Sequence, residues 1–259
     1  NFNGNGYNIA IGHNAGLSAT TGTDNTIIGG LAGDALTTGS LNVAIGKAAL
    51  SSEDTGSSNI AIGHAALMNQ NYDGSAYNVA VGHNAGTAVT TGDLNTIIGG
   101  LAGDALTTGD RNVALGYLAL STEDAGSRNV AIGAEALKSQ DGGSYNVAVG
   151  DSAAENLTTG GENTIIGGLA GDALTSGANN VAVGYLSLST EDGHGRNVAI
   201  GAYALKEQNA GAEAYNTAVG YQAGFATTTG TGNTLIGGFA GDAITTGTNN
   251  TAIGRSALT

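Results

Sequence analysis

The chain has 259 residues, of which 46 are Gly, one is Met and none is Pro, Cys or Trp. Gly makes up about 7% of an average protein, so this composition argues against an ordinary enzyme core built from bulky side chains. With 41% apolar and 11% charged residues, the chain is too apolar for intrinsic disorder, and the absence of Pro excludes collagen. The net charge of −14 opposes binding to nucleic acid and to anionic membrane surfaces.

The sequence also argues against several kinds of attachment and chemistry. No apolar run reaches about 18 residues, the length that suggests a transmembrane helix, and the start at Asn1 shows no basic or apolar leader. The lack of Cys removes disulfides, thiolate catalysis and zinc ribbons. We therefore expect no nucleic acid partner, no membrane insertion by this segment and no cofactor.

One pattern runs along the whole chain: Asn, then two or three apolar residues, then Gly. Positions are numbered from this Asn, so that +4 is the Gly found in all 15 copies and +7 is Ala in every copy except that of Ser187. Successive copies are 17 residues apart, with two spacings of 19 before Asn78 and Asn216. We therefore predict a single repetitive domain over residues 1–259. The repeat Asn residues are Asn8, Asn25, Asn42, Asn59, Asn78, Asn95, Asn112, Asn129, Asn146, Asn163, Asn180, Asn197, Asn216, Asn233 and Asn250.

The repeats alternate in sets of four. Type 1, first seen at Asn8, reads Tyr-Asn-x-Ala-x-Gly, and type 2, at Asn25, reads N-T-[IL]-I-G-G-[LF]-A-G-D-A-[LI]-T-[TS]-G. Type 3 begins at Asn42 and carries a Glu-Asp pair in three of its copies, and type 4 begins at Asn59. The 17-residue repeat is thus nested in a longer one. Later sets begin at Asn78, Asn146 and Asn216.

A unit of 17 residues is too short for helical repeats or propeller blades, which need about 33 residues or more. It suffices for one coil of a β-solenoid, in which short strands are joined by tight corners. Positions +1 and +3 hold Val, Ile, Leu or Thr, which favour strands. The sequence therefore predicts an all-β fold, a parallel β-solenoid (β-roll) of about 15 coils with 17-residue repeats, assembled as a trimer.

Three columns of this solenoid are predicted to be structural. The Asn column is expected to form side-chain hydrogen bonds along the stack, and the +4 Gly column is expected to occupy corners with positive φ or close backbone approach. The +7 Ala column recurs with them. These residues include Asn25, Asn42, Asn59, Gly29, Gly46, Gly63, Ala32, Ala49 and Ala66.

Both sides of the predicted strand are apolar. Side chains alternate along a strand, so Val43 and Ile45 lie on one side and Ala44 on the other. Position +2 is Ala in eleven copies and Ile or Leu in four. We expect one side to fill the coil and the side with the small Ala residues to pack against another chain, because a long exposed apolar stripe is an aggregation hazard.

These repeats resemble the head repeats of YadA-like trimeric autotransporter adhesins. The resemblance rests on N-V-A-I-G-K-A-A-L (42–50), N-I-A-I-G-H-A-A-L (59–67) and N-V-A-I-G-A-E-A-L (129–137). Type 1 and type 2 repeats also look like arrays in phage tail-fibre and surface-fibre proteins. The adhesin resemblance implies a left-handed β-roll with three chains packed together. The 17-residue period is longer than that of the usual head repeat, and neither a coiled-coil stalk nor an anchor is seen in this sequence.

Type 2 repeats suggest a calcium site. The stretch G-G-L-A-G-D-A-L (29–36) resembles calcium-binding G-G-x-G-x-D-x-U repeats, but Ala32 stands where that motif has Gly. Equivalent Asp residues lie four coils apart, about 19 Å at about 4.8 Å per coil, so they cannot share an ion. A turn-capping role is favoured over metal binding. The candidate metal ligands of this kind are Asp34, Asp104, Asp172 and Asp242.

Paired carboxylates recur in type 3 repeats, at Glu53-Asp54, Glu123-Asp124 and Glu191-Asp192. Such pairs serve acid–base chemistry or hold calcium. Here they fall in Gly- and Ser-rich corners without an accompanying base, so we predict solvated loops that keep a fibre soluble.

His64 and His83 both occupy position +5 in successive repeats and should therefore stack. In a trimer they would form rings of three, which is a candidate metal site. The same column elsewhere holds Gly100, Tyr117 and Asp151, which favours an outward corner.

Thr pairs such as Thr37-Thr38 precede half of the repeats and suggest an ice-binding plane. The ladder is broken every four coils, at Asp54-Thr55 for example, so ice binding is a minor alternative. Tyr117, Tyr185 and Tyr221 are candidate surfaces for stacking on sugars.

The sequence therefore predicts a structural protein and not an enzyme. We expect a segment of an extracellular fibre or adhesin head that mediates attachment or forms a filament, located on a cell surface or a virion. A phage tail-fibre shaft is the alternative. The expected partners are two further copies of the chain and a host surface or glycan receptor. Repeat register from Thr259 to a following Asn1 is continuous, which predicts head-to-tail stacking or excision from a longer array.

Overall fold

The computed structural model describes residues 6–259, which are all-β. Asn1, on which the head-to-tail register depends, lies outside the described residues. The chain divides into two compact units, Asn1–Arg128 and Asn129–Thr259. Within residues 6–259, no helix is long and apolar enough to cross a membrane.

The first unit contains seven three-residue strands, counted over its described residues. Each begins one residue after a repeat Asn, and neighbouring strands within the unit pair in parallel, so that Ala44 lies opposite Ile27 and Ala61. The strands are β1 (Ile9–Ile11), β2 (Thr26–Ile28), β3 (Val43–Ile45), β4 (Ile60–Ile62), β5 (Val79–Val81), β6 (Thr96–Ile98) and β7 (Val113–Leu115).

The second unit repeats this arrangement with eight strands, and Ala182 for example lies opposite Ile165 and Ala199. The predicted parallel β-solenoid with a 17-residue repeat is thus confirmed. The strands are β8 (Val130–Ile132), β9 (Val147–Val149), β10 (Thr164–Ile166), β11 (Val181–Val183), β12 (Val198–Ile200), β13 (Thr217–Val219), β14 (Thr234–Ile236) and β15 (Thr251–Ile253).

The core of each coil lies on the side of position +2. Ala44 and Ile27 are fully buried, whereas their strand neighbours at +1 and +3 are half-buried or exposed. The prediction that the Ala side packs against another chain is therefore wrong. Strand alternation determines which residues share a side, but the larger +1 and +3 side chains are those that face outward.

Position +8 explains how Ala and Ile alternate at +2 within one core. Where +2 is Ile27, +8 is Gly33, and a Cβ on Gly33 would lie 3.4 Å from Ile27 Cδ1. Where +2 is Ala44, +8 is Leu50, which is fully buried. Gly33 and Leu50 share a left-handed backbone, with φ of 48° and 52°. Between type 2 repeats and those of types 3 and 4, large and small residues therefore exchange places across the coil at nearly constant volume, as dense packing requires. Type 1 repeats have small residues at both positions.

The predicted +4 corner requires Gly for two reasons. Gly29 has φ of +138°, and a Cβ there would lie 2.4 Å from the carbonyl oxygen of Gly46 in the next coil. Gly46 and Gly63 have the same conformation, with φ of +133° and +136°. Neighbouring coils therefore contact each other backbone to backbone at this corner.

The Asn column links the coils through the backbone. Oδ1 of Asn25 accepts the backbone N–H of Asn42 at 2.9 Å, and Nδ2 of Asn25 donates to the carbonyl of Gly39 at 2.9 Å. The next copy repeats this, since Oδ1 of Asn42 accepts the N–H of Asn59 at 2.9 Å and its Nδ2 donates to Gly56. The predicted ladder is present, but most of its bonds join side-chain amides to the main chain of the next coil.

The +7 Ala residues complete the core. Ala32, Ala49 and Ala66 are fully buried. The residue before each of them has a left-handed backbone, as at Leu31 (φ 60°) and Ala48 (φ 56°). The small side chain therefore lies directly after a tight corner, where the chain turns into the coil.

Candidate functional site

The outward side of the sheet carries a row of aliphatic side chains at position +3, the last residue of each strand. We call this row the aliphatic stripe. In the first unit it comprises Ile11, Ile28, Ile45, Ile62, Val81, Ile98 and Leu115, and in the second unit Ile132, Val149, Ile166, Val183, Ile200, Val219, Ile236 and Ile253.

The aliphatic stripe is accessible along each unit. Leu115 is 41% exposed, Ile166 38% and Ile200 37%, and the intervening members are half-buried. Beside it, position +1 holds Val, Ile or Thr. Contiguous apolar surface of this kind marks interaction sites in soluble proteins. The +1 and +3 side of the strand, which the apolar pattern predicts to lie inside the coil, is therefore the candidate interaction surface.

The type 3 corners differ from their prediction. Glu53, Glu123 and Glu191 are fully buried, so the prediction that these Glu residues lie in solvated loops is wrong. Each occupies position +11, the interior column that holds Leu36 in the preceding repeat and Gln70 in a following one. Aligning the repeats on this column indicates the burial, because the column holds Leu or Ile in every type 2 repeat, directly before the Glu of type 3.

The buried carboxylates hold the tight corner that follows them. Oε1 of Glu53 accepts the backbone N–H of Gly56 at 2.7 Å, and Oε2 accepts that of Tyr72 at 3.3 Å. Glu123 accepts the N–H of Ala125 at 3.0 Å and that of Gly126. Burial raises the pKa of Glu53 above its ordinary value, and the backbone hydrogen bonds from Gly56 and Tyr72 only partly oppose this.

The raised pKa of Glu53 predicts that acidification stabilises the fold. The folded chain binds a proton at Glu53 more tightly than the unfolded chain, so the free energy of unfolding rises as pH falls through the raised pKa towards the ordinary value, about 4.3. Above the raised pKa this contribution is lost. Glu53→Gln introduces the residue that the next repeat has at this position, Gln70. We expect this variant to show a smaller increase in the free energy of unfolding between pH 7 and pH 5, measured by urea unfolding.

Glu162→Gln is the matched control, because Glu162 is exposed and the substitution removes the same charge. It should leave the pH dependence of the parent chain unchanged. If the free energy of unfolding depended equally on pH in Glu53→Gln and Glu162→Gln, the prediction would be contradicted. Burial also raises the pKa values of Asp104 and Asp172. These two residues are present in the parent chain and in both variants, so their contribution to the pH dependence of stability cancels when the three are compared.

The predicted Asp ligands do not gather other ligands around them. Each is half-buried in a corner, and Oδ1 of each is buried without a hydrogen-bond partner among residues 6–259. The groups of three or more His, Asp or Glu side chains that the described residues bring within 4.8 Å include none of them. The residues concerned are Asp34, Asp104, Asp172 and Asp242.

The predicted stacking of His64 and His83 is confirmed. The two rings are nearly parallel, with an interplanar angle of 12° and centroids 5.2 Å apart. Both side chains are exposed, as expected for an outward corner. Among the described residues no third ligating side chain joins them. Their role in metal binding remains a prediction.

The first Thr of each pair is used within the solenoid. Oγ1 of Thr37 donates to the carbonyl of Asp54 at 2.9 Å, and Oγ1 of Thr107 donates to that of Asp124 at 2.9 Å. The second Thr, such as Thr38, is exposed. Only one hydroxyl of each pair is thus free to face solvent.

The second unit also carries a row of aromatic rings on its +5 and +6 corners. Tyr203 lies edge-on between Tyr185 and Tyr221, with ring centroids 5.6 and 6.1 Å away, and Phe239 follows Tyr221 at 5.4 Å. The sequence pattern at +5 indicates Tyr185 and Tyr221 but not the rings between and beyond them, which lie at +6.

Comparison with protein-family models and with curated proteins finds no match. Residues 6–259 form no pocket.

Proposed function

We propose that this chain is a structural segment of an extracellular fibre or adhesin head, in which copies associate side by side, as a trimer, through the aliphatic stripe. The observation that carries the proposal is the stripe itself, an uninterrupted column of Ile, Val and Leu along the sheet of each unit. Covering such surface is favourable by about 25 cal/mol per Å².

A second copy of the chain is the partner that suits this surface. A polar or charged partner would leave the aliphatic side chains in contact with unpaired groups, whereas a second stripe offers the same side chains at the same coil spacing of about 4.8 Å. The resemblance to trimeric adhesin heads also favours three copies. The acidic side chains that give the net charge of −14 stand largely in the corners, where they keep the fibre soluble.

The experiment that tests the proposal is the mass of the chain in solution, by light scattering coupled to size exclusion. We expect three times the chain mass of 25.1 kDa. Substituting two exposed stripe residues, Ile166→Lys together with Ile200→Lys, should yield monomers that keep the circular dichroism of the parent chain, because six buried ammonium groups would lie in the trimer.

Thr159→Lys together with Thr190→Lys is the control. It adds the same charge at exposed positions outside the stripe and should leave the mass unchanged. A monomeric parent chain would overturn the association. Loss of association in the control alone would place the interface elsewhere.

A further inference from the structure

The corner at 191–196 differs from the other type 3 corners at positions +13, +14 and +15, and the change at +14 introduces a His. Position +14 is Gly in most repeats, for example Gly56 and Gly126, and its carbonyl accepts the side-chain amide of the repeat Asn. At the third type 3 corner the same position is His194, whose carbonyl still accepts from Nδ2 of Asn180 at 3.2 Å. The main-chain role of the position is thus kept, and an imidazole is added.

This imidazole lies against the buried carboxylate of the same corner. Nδ1 of His194 is 3.5 Å from Oε1 of Glu191, which also accepts the backbone N–H of His194 at 3.2 Å. Asp192 completes the group, since one ligand atom from each of the three side chains lies within 4.8 Å of the others. Glu191 is fully buried and Asp192 is exposed, so the group opens to solvent on one side.

Two atoms of the group are buried and make no hydrogen bond: Oε2 of Glu191 and Nδ1 of His194. At the first type 3 corner the equivalent Oε2, that of Glu53, accepts the N–H of Tyr72 at 3.3 Å. Ala210 stands at the place of Tyr72, and its N–H helps to lower the pKa of Glu191 but does not reach hydrogen-bond geometry with Oε2. A buried acceptor without a donor is costly, and Nδ1 of His194 in the same corner is likewise buried without a hydrogen-bond partner.

We propose that Glu191, Asp192 and His194 bind one divalent transition-metal ion of the zinc type. One imidazole nitrogen and two carboxylate oxygens are ligands that zinc accepts, with bonds of about 2.0–2.2 Å, and three protein ligands leave a fourth position for water. Tetrahedral ligands at that radius are about 3.4 Å apart, close to the separation of Nδ1 and Oε1. Asp192 is exposed, and one of its carboxylate oxygens lies within 4.8 Å of the other two ligand atoms, so rotation of its side chain would bring it to the ion.

The donor set also distinguishes the metal. Calcium takes six to eight oxygen ligands, whereas imidazole suits zinc, copper, nickel and related ions. The site therefore selects zinc-type ions over calcium. Without metal, the same geometry allows His194, when protonated, to form an ion pair with Glu191, and this pair alone is the competing explanation of the contact.

The test is titration of the full chain with ZnCl₂ at pH 7.5 by calorimetry, with Co²⁺ absorption as a probe of tetrahedral nitrogen and oxygen ligands. We expect one ion per chain, no comparable binding of Ca²⁺, and affinity weakened at least about tenfold in His194→Gly. That variant restores the residue found at Gly56, so it should fold as the parent does. Glu191→Gln, which introduces the residue of the next coil, Gln208, should weaken zinc similarly.

His64→Ala is the control for the stacked pair formed with His83. It should leave the zinc affinity of the chain unchanged. Loss of zinc binding in His64→Ala but not in His194→Gly would overturn the proposal, as would the absence of zinc binding by the parent chain, which would leave only the ion pair. These outcomes do not depend on the mass of the chain and so are independent of the proposed association.

Discussion

Replacing Gly29 by Ala is expected to destabilise the first unit by about 2–6 kcal/mol, from backbone strain together with a steric clash. Gly29 has φ of +138°, a conformation that L side chains rarely adopt, and the new Cβ would lie 2.4 Å from the carbonyl oxygen of Gly46. The clash is with main chain, which cannot rotate away. Relief would require the neighbouring coils to separate, and with them the hydrogen bonds of β2 and β3.

The next residue provides a matched control within the same dipeptide. A Cβ on Gly30 would meet its nearest atom, the carbonyl oxygen of His13, only at 4.0 Å. Gly30→Ala should therefore change the free energy of unfolding by no more than about 0.5 kcal/mol. Urea unfolding, monitored by circular dichroism, measures the change in the free energy of unfolding for both substitutions. Equal effects of the two substitutions would show that close coil stacking at this corner does not limit stability.

The same pair of substitutions is available in the second unit. Gly167 has φ of +136°, and a Cβ there would lie 2.5 Å from the carbonyl oxygen of Gly184. A Cβ on Gly168 would meet its nearest atom, Tyr185 Cδ2, at 3.7 Å. Because repeat proteins are stabilised mainly by contacts between neighbours, Gly167→Ala should reproduce the effect of Gly29→Ala.

The sequence was sufficient to predict the architecture because the repeat is strict. A fixed period with Gly at +4 leaves three residues for a strand, and the structure has β3 at Val43–Ile45, directly after Asn42. In-register stacking then follows, since equivalent residues of successive repeats must lie side by side. This is why the pairing of His64 with His83 was also predictable.

The direction in which the strand faces could not be predicted from the strand alone. Val43 and Ile45 are larger than Ala44, so the apolar pattern favoured the wrong side. The deciding residue is Leu50, which lies outside the strand and fills the space beside Ala44. Its counterpart Gly33 does the reverse for Ile27. In repeats of types 2, 3 and 4, compensation between the +2 and +8 columns identifies the interior side of the strand, and it becomes visible only when repeats are compared column by column.

The candidate sites are harder to predict from sequence because charged side chains are usually exposed. Glu53 is buried because the corner that follows it presents backbone N–H groups to its carboxylate, and such groups carry no signal in side-chain composition. Burial of a carboxylate is tolerated when it is hydrogen-bonded. The same reasoning applies to Glu191, where one acceptor atom is left without a donor.

Replacing Asn42 by Ala is expected to cost about 2–6 kcal/mol, because it leaves two buried main-chain groups without partners at about 1–3 kcal/mol each. These groups are the N–H of Asn59, which donates to Oδ1 of Asn42 at 2.9 Å, and the carbonyl of Gly56, which accepts from Nδ2 at 2.9 Å. Asn42 is fully buried, so water does not replace the amide. Asn69→Ala, at an exposed Asn, should be nearly neutral in the same urea unfolding measurement.

Asn42→Asp separates the two bonds, because it keeps the shape of the side chain and the acceptor for Asn59 but loses the donor to Gly56. At neutral pH a buried carboxylate would face a carbonyl oxygen, which raises the pKa of that carboxyl. The folded state then binds a proton more tightly than the unfolded state, so the free energy of unfolding should recover as pH falls, when the protonated acid donates to Gly56 again. Asn42→Ala has no such group and should show only the pH dependence of the parent chain. Equal pH dependence in the two variants would contradict the assignment of the ladder as a donor–acceptor chain through the main chain of successive coils.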